Sequence, residues 1–258
     1  IATGHYARVT SFADTRRIDA EKRRRFMLMN AEDKNKDQTY FLWTLTQQQL
    51  QYCLFPIGNY TKPQVRAIAK KAGLPSWDKK DSQGVCFIGK LDFADFLRKY
   101  LPRQEGNIVT ANGEVIGMHD GAWFYTIGQR HGLQVQSSKF KVQSFGNIKP
   151  LYVVSKDIKK NILIVAEETA PELFKKELMV SDAHWISGAP PKFPFTCKAR
   201  IRYRQPLQIC RIMGKNKKKP ASKAVLGVKF AKPQRAITPG QSIVFYKGTE
   251  MLGGGIIA

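Results

Sequence analysis

Acidic residues are scarce in this sequence. Asp and Glu total 20 against 43 Lys and Arg, leaving a formal net charge of +23. A compact body holds such a surplus at a cost in self-repulsion unless an anionic partner uses it. Nucleic acid is the first partner this implies, because phosphate neutralisation by Lys and Arg dominates such binding. A generally basic surface is the plainer alternative. Long uncharged apolar runs are also missing, so no transmembrane helix is expected. Neither a signal peptide nor an amphipathic basic anchor is visible, and no membrane partner is expected. Cysteine is limited to Cys53, Cys86, Cys197 and Cys210, with no C-x-x-C pair among them. That leaves a zinc site unsupported and makes free thiols in a reducing compartment the default. His119, His131 and His184 lack ligand spacing, and no metal site is expected.

What is present suffices for a real core: 258 residues, 43% of them hydrophobic, enough for one to three domains. No internal repeat is visible. The opening Ile1-Ala2-Thr3-Gly4-His5-Tyr6-Ala7-Arg8-Val9 reads as the end of a buried strand running into a glycine turn, as though the chain began inside a domain. Arg23 to Arg25 reads as a solvated turn, and Phe26-Met27-Leu28-Met29 as a strand. Two capping boxes follow, Thr46-Gln47-Gln48-Gln49 and Thr61-Lys62-Pro63-Gln64, each placing a Gln three residues after a hydroxyl cap. Leu50, Cys53 and Leu54 continue the first at helical spacing, which makes Cys53 a packed thiol. Val65, Ile68 and Ala69 continue the second, and Gly73 and Pro75 stop it. Residues 92–100 read as a third helix.

From residue 103 the period changes to two. Residues 108–109, 115–116, 123–127, 151–154 and 162–165 are strand-like, with turns at Asn112-Gly113, His119-Asp120-Gly121 and Lys160-Asn161. Residues 134–149 and 215–222 are polar, loop-like stretches. Residues 195–204 alternate strictly: Phe195, Cys197, Ala199, Ile201 and Tyr203 on one face, Thr196, Lys198, Arg200, Arg202 and Arg204 on the other. Four cations on one strand face, with no acid among them, suit a phosphate backbone, and such contacts position RNA without reading its sequence. Residues 225–230, 243–246 and 253–257 complete a small barrel, in which Gly253-Gly254-Gly255 permits close packing or a bulge.

Cys86 stands apart from the other thiols. Gly84 and Gly89 frame its segment, and Lys79, Lys80 and Lys90 lie close in sequence, where cations favour the thiolate. Its immediate neighbours Val85 and Phe87 fit a buried strand cysteine better than a reactive one. Gly4-His5 marks a strand-to-loop transition of the kind found at ligand crevices in α/β sheets. Lys36-Asp37-Gln38 precedes the aromatic run Tyr40-Phe41-Leu42-Trp43, which reads as core.

One ordered set of segments gives these signals a common meaning: Ala2-Thr3-Gly4-His5-Tyr6-Ala7-Arg8, Lys36-Asp37-Gln38-Thr39-Tyr40-Phe41-Leu42, Gly84-Val85-Cys86-Phe87-Ile88-Gly89, Tyr125-Thr126-Ile127-Gly128-Gln129-Arg130, Arg202-Tyr203-Arg204-Gln205, Pro239-Gly240-Gln241 and Leu252-Gly253-Gly254-Gly255-Ile256-Ile257. In this order they resemble the bacterial and organellar tRNA-specific 2-thiouridylases over nearly the whole chain. The resemblance implies ATP-dependent transfer of sulfur to C2 of the wobble uridine of a tRNA (Lys, Glu or Gln type), with Mg2+ accompanying ATP. It implies that Cys86 bears a persulfide loaded by a sulfur-donor protein, and that a second cysteine releases the sulfur, leaving a disulfide. Gly4 falls where the family contacts ATP. His5, Lys36, Asp37, Gln38, Arg202, Tyr203 and Gln241 fall where it contacts tRNA, with Lys198, Arg200 and Arg204 as further basic-face candidates. Strand alternation supports Arg202 and turns Tyr203 to the opposite face.

The family's S-G-G-x-D-S phosphate-binding loop and its N-P-D-x-x-C cysteine have no counterpart here and are expected upstream of Ile1. The fold class implied is α/β plus β. Residues 1–101 are the back part of a Rossmann-like PP-loop (adenine nucleotide α-hydrolase-like) domain with a helical segment. Residues 102–170 are a small β domain, and residues 171–258 a C-terminal β-barrel that holds tRNA. A monomer in the cytoplasm is expected, with a mitochondrial or plastid matrix as the alternative. The isolated chain is expected to bind tRNA without forming the adenylate. Two rivals stay open: a non-enzymatic RNA-binding protein, and a redox protein pairing Cys86 with another thiol.

Overall fold

A computed structural model describes residues 1–13, 24–79, 93–135, 150–214 and 226–258. In chain order its elements are β1 (Ala7–Ala13), β2 (Arg24–Asn30), α1 (Gln47–Leu50), α2 (Lys62–Lys71), α3 (Phe93–Arg98), β3 (Gly106–Thr110), β4 (Val115–His119), β5 (Gln134–Val135), β6 (Leu151–Asp157), β7 (Ile162–Glu167), β8 (Phe174–Trp185), β9 (Phe195–Arg200), β10 (Gln208–Met213), β11 (Leu226–Arg235), β12 (Ser242–Lys247) and β13 (Glu250–Ile257). The chain forms two compact units: Ile1–Lys79 with Lys176–Pro233 and Pro239–Ala258, and Lys80–Lys175 with Gln234–Thr238. No helix among the described residues is long and apolar enough to cross a membrane.

The first unit is organised by one sheet in the order β1-β2-β13-β12-β9-β10-β11-β8. A further β13–β8 pairing closes its last six strands into a barrel. The β1–β2 hairpin joins through β2, whose Leu28 and Met29 face Met251 and Glu250 across an antiparallel pairing. The glycine run at the end allows this closure. A Cβ on Gly254 would stand 2.6 Å from the Ile243 carbonyl oxygen and 2.9 Å from the Trp43 ring. The pairing of β13 with β8 also shifts register between Gly254 and Ile256. The core beneath combines Ala7, Leu28, Tyr40, Trp43, Leu50 and Phe55 with Ile186, Val244, Tyr246 and Met251, so the first 55 residues and the barrel share one buried cluster.

Both capping boxes form. Thr46 N donates to Gln49 Oε1 at 3.0 Å, and Thr61 N to Gln64 Oε1 at 2.8 Å. The helix expected to run from Thr46 through Leu54 lasts one turn. It stops because the Leu54 backbone is claimed by the N-terminus, with Thr3 N donating to its oxygen and its own N donating to the Ile1 oxygen in a parallel bridge. Cys53 is therefore half-buried, its thiol 3.3 Å from the Gln49 oxygen, and Leu54 is exposed. The α2 helix ends at Gly73 (φ +69°) as its stop signals require, but none of its residues is buried.

The second unit holds a five-stranded sheet in the order β5-β4-β3-β7-β6, in which β3 and β7 run parallel. Ile108, Ile116, Tyr125, Val153, Leu163 and Val165 fill its core. The strand expected over residues 123–127 is instead a 3-10 turn, Ala122–Phe124. The Ala122 N–H goes to Asn161 Oδ1 at 2.9 Å rather than to a neighbouring strand, and Gly121 enters the turn at φ +145°.

Candidate nucleic-acid interface

Cys86, with its Gly84 and Gly89 frame, lies outside the described residues, as do Arg23 and most of the polar stretches at 134–149 and 215–222. The other sequence-predicted site residues, Gly4, His5, Lys36, Asp37, Gln38, Lys198, Arg200, Arg202, Tyr203, Arg204 and Gln241, all fall in the first unit.

The site is built from the segment after β2. Asp33 shapes it: its Oδ1 accepts from Asn35 N (3.0 Å) and Lys36 N (3.2 Å), and its Oδ2 accepts from Lys62 N (2.9 Å) at the start of α2. This Asx-type turn presents Lys36 at the surface, half-buried. Asp37 goes the other way, to 3% exposure. Its Oδ1 accepts from Ala31 N (3.2 Å) and Thr39 Oγ1 (3.0 Å), and its Oδ2 lies 3.8 Å from Arg200 NH2. Gln38 pairs twice with Tyr6: its N donates to the Tyr6 oxygen and its Oε1 accepts from Tyr6 N, both at 2.9 Å. The N-terminal loop is thereby tied to the same segment. Next to it His5 Nδ1 sits 2.6 Å from Thr3 Oγ1, and Gly4 is exposed, with open space where a Cβ would point.

The 3-10 turn Thr39–Phe41 then docks on the barrel. Tyr40 OH donates to the Ser242 oxygen at 2.8 Å, and Trp43 Nε1 to Ser242 Oγ at 3.1 Å. Thr39 Oγ1 lies 3.3 Å from Tyr246 OH. Gln241 precedes this anchor and accepts from Ile257 N at 2.8 Å through its backbone oxygen. Burial pushes the Tyr246 phenol up to about 12, against opposing contributions from the Thr39 hydrogen bond and the Arg200 charge. Burial also raises Tyr40, opposed by Arg202 and Arg200. Both hydroxyls stay protonated at neutral pH and are fixed as hydrogen-bonding groups.

The alternation expected through Arg204 ends at Arg200. Gln205 Oε1 takes the Ile201 N–H at 2.8 Å, and Arg204 adopts φ +64°, so residues 201–204 form a turn. The basic face divides accordingly. Lys198 is exposed on β9, and Arg200 is buried, its guanidinium 5.0 Å over the Tyr246 ring. Arg202 is half-buried and Arg204 exposed. Nor does Tyr203 turn away from the cations: its ring lies 4.7 Å from Phe41 and 5.2 Å from the Arg204 guanidinium.

Sequence reasoning missed Phe41, Ser242 and Tyr246. An aromatic run reads as core, and Tyr40 and Trp43 are core. The 3-10 turn sends Phe41 outward, to 54% exposure. The site offers half-buried Lys36, exposed Lys198 and Arg204, half-buried Arg202 and an accessible aromatic surface, which together suit phosphates and stacked bases.

Three family models match the chain in order. They are described as a tRNA methyl transferase HUP domain over residues 1–90, a tRNA methyl transferase PRC-barrel domain over 94–167 and an aminomethyltransferase beta-barrel domain over 175–257. The whole chain is also similar to proteins named tRNA-specific 2-thiouridylase MnmA. It is 45% identical to that of Coxiella burnetii (strain RSA 493), 45% to that of Nitrosococcus oceani and 46% to that of Francisella philomiragia, over all 258 residues in each case. The chain spans 65 to 66% of the length of these curated relatives.

Proposed function

Because the chain belongs to the family of tRNA-specific 2-thiouridylases, with a HUP-like part followed by PRC-barrel and β-barrel parts, we propose that it serves in the 2-thiolation of wobble uridine in tRNA. The observation that carries the reading is the meeting of two tRNA-directed segments. Residues 36–41 and 200–204 lie far apart in the chain, Tyr40 and Ile201 being separated by 161 positions, yet they pack together in one unit.

In this reading Lys36, Lys198, Arg202 and Arg204 hold phosphates, with His5, Gln38, Tyr203 and Gln241 around them. Asp37 and Arg200, being buried, act by positioning that surface. Cys86 carries the persulfide whose outer sulfur displaces the activated C2 oxygen of the uridine with AMP as leaving group, a second cysteine thiol then attacking Cys86 Sγ to break the S–S bond and leave a disulfide. ATP with Mg2+ supplies the activation that makes that oxygen a leaving group. Gly4, exposed and open above its Cα, suits close approach of the nucleotide. The 258 residues contain no S-G-G-x-D-S or N-P-D-x-x-C segment, so the chain by itself binds tRNA without thiolating it. Three parts with divisions near residues 101 and 170 complete the organisation; the family ranges 1–90, 94–167 and 175–257 support three parts and the second division. Bacterial relatives favour a cytoplasmic setting. Lys, Glu and Gln tRNAs, a persulfide-donor protein and a monomeric state complete the reading.

The names of the relatives favour this over a purely RNA-binding protein. The test is titration of wobble-uridine tRNA with the chain at two salt concentrations. Tight binding, weakened by Arg202→Ala and unaffected by Cys86→Ser, is expected. Equal affinity for tRNA and for a non-nucleic polyanion such as heparin would sink the tRNA assignment.

A further inference from the structure

Phe41 is exposed at the edge of a cluster that is otherwise fixed. Its neighbour Tyr40 is held by the Ser242 oxygen, and Phe41 N donates to the Gln38 oxygen at 3.0 Å, so its backbone is ordered before any ligand arrives. Three rings converge there: Tyr40 and Phe41 meet edge-on at 5.4 Å, Phe41 and Tyr203 lie 4.7 Å apart, and Tyr40 and Tyr203 lie 6.3 Å apart. The Arg204 guanidinium covers the Tyr203 ring from 5.2 Å. Arg204 reaches this position at φ +64°, a conformation that non-glycine residues adopt rarely and mostly where surroundings impose it.

Exposure alone would not distinguish Phe41 from Tyr52 or Leu54, which are more exposed. Its setting does. Exposed Lys198 and Arg204 and half-buried Arg202 lie in a stretch, residues 195–204, that contains no acid, and Asp37 of the adjoining segment is buried against Arg200. An apolar protein partner would have to cover the exposed charges of Lys198 and Arg204, at a desolvation cost. An unpaired nucleotide satisfies both features, since its base has a π-face for Phe41 and its phosphate an anionic oxygen for Arg204.

We propose that Phe41 and Tyr203 form a stacking platform for one unpaired base of the RNA, with Arg204 holding the adjoining phosphate. This rests on the tRNA reading above and adds to it a binding mode and a residue, Phe41. Because every base has a π-face, the platform grips a single-stranded or flipped nucleotide with little preference for its identity and does not grip a continuous duplex.

The experiment uses the full chain with tRNA and with a short single-stranded RNA carrying 2-aminopurine, whose fluorescence falls on stacking. Phe41→Ala should weaken both by about 5- to 150-fold, the range of one base–aromatic stack, and abolish the fluorescence drop. Its salt dependence should match the unaltered chain. Phe41→Trp should restore affinity and quenching. Arg204→Ala should instead flatten the log–log salt dependence by roughly one unit, the signature of one lost phosphate contact. Unaltered binding by Phe41→Ala while the chain still binds tRNA would overturn the platform and leave the tRNA reading intact. Equal losses in Phe41→Ala and Phe41→Trp, accompanied by lower thermal stability, would also overturn it by making Phe41 structural. Failure of the unaltered chain to bind any RNA would overturn both.

Discussion

Asp37 and Arg200 form an ion pair at 3.8 Å with side chains only 3% and 10% exposed, joining the segment after β2 to the end of β9. The Arg200 charge also lies over the Tyr246 ring, and Asp37 accepts hydrogen bonds from Ala31 and Thr39. Both side chains are buried, and the pair links the segment that carries Lys36 and Phe41 to the one that carries Arg202 and Tyr203.

Breaking such a pair from one side leaves a buried charge without its partner. Asp37→Ala or Arg200→Ala should each destabilise the first unit by about 3–5 kcal/mol. Replacing both by apolar residues of similar size, Asp37→Leu with Arg200→Met, should cost less than either single change, because no lone charge remains. Urea unfolding of the four proteins measures this. Additive losses in the double variant would show that the two side chains do not interact.

The buried phenols give the first unit an alkaline limit. Tyr246 is pushed up to about 12 by burial, from an ordinary 10.0, and Tyr40 is raised in the same sense. A raised folded-state value means the unfolded chain gives up its proton first as pH rises. The stabilisation is therefore complete below pH 10 and is lost as pH climbs toward 12. Absorbance at 295 nm should show Tyr246 titrating after the exposed tyrosines, and Tyr246→Phe should reduce the loss of stability between pH 10 and 12. Tyr246 titrating with the bulk phenols would contradict its burial against Thr39 and Arg200.

Much of the scaffold was legible from local chemistry. Thr46, Gln49, Thr61 and Gln64 announced their capping boxes, Gly73 its helix stop, and Asn112-Gly113 and Lys160-Asn161 their turns, because each of these depends on residues within a few positions. Gly253 to Gly255 signalled close packing, and Gly254 does lie against Ile243 and Trp43. What was hidden depended on distant partners. The Thr46 helix stops short because the N-terminal strand captures Leu54, and the 195–204 alternation fails because Gln205 captures the Ile201 N–H. Of the site, the residue types were legible and their division into buried and exposed was not. Period-two spacing placed Arg200 beside Arg202, and the turn after Arg200 together with the docking of Asp37 separates them. Phe41 was unreadable for the same reason, since an aromatic run has no local mark for the one ring that faces out.

The thiols should differ sharply in reactivity. Cys197 and Cys210 are buried opposite one another on β9 and β10, with sulfurs 3.7 Å apart. Their hydrogen bond, and then burial, raises the Cys197 pKa, so this thiol stays protonated and unreactive. Cys86 has three lysines within seven positions in sequence and is the proposed sulfur carrier. Brief alkylation of the native chain, read by peptide mass spectrometry, should modify Cys86 well before Cys197 or Cys210. Labelling of Cys197 at the rate of Cys86 would contradict the packed geometry of the β9–β10 pair.

Counting 2-thiouridine decides whether these residues serve tRNA thiolation with Cys86 as sulfur carrier. The intact gene product would be given ATP, a persulfide donor and a wobble-uridine tRNA, and the digested tRNA read by mass spectrometry. The unaltered protein should yield 2-thiouridine and Cys86→Ser none, with tRNA affinity equal in the two. Unchanged 2-thiouridine from Cys86→Ser would contradict the sulfur-carrier role and make Cys86 a structural thiol.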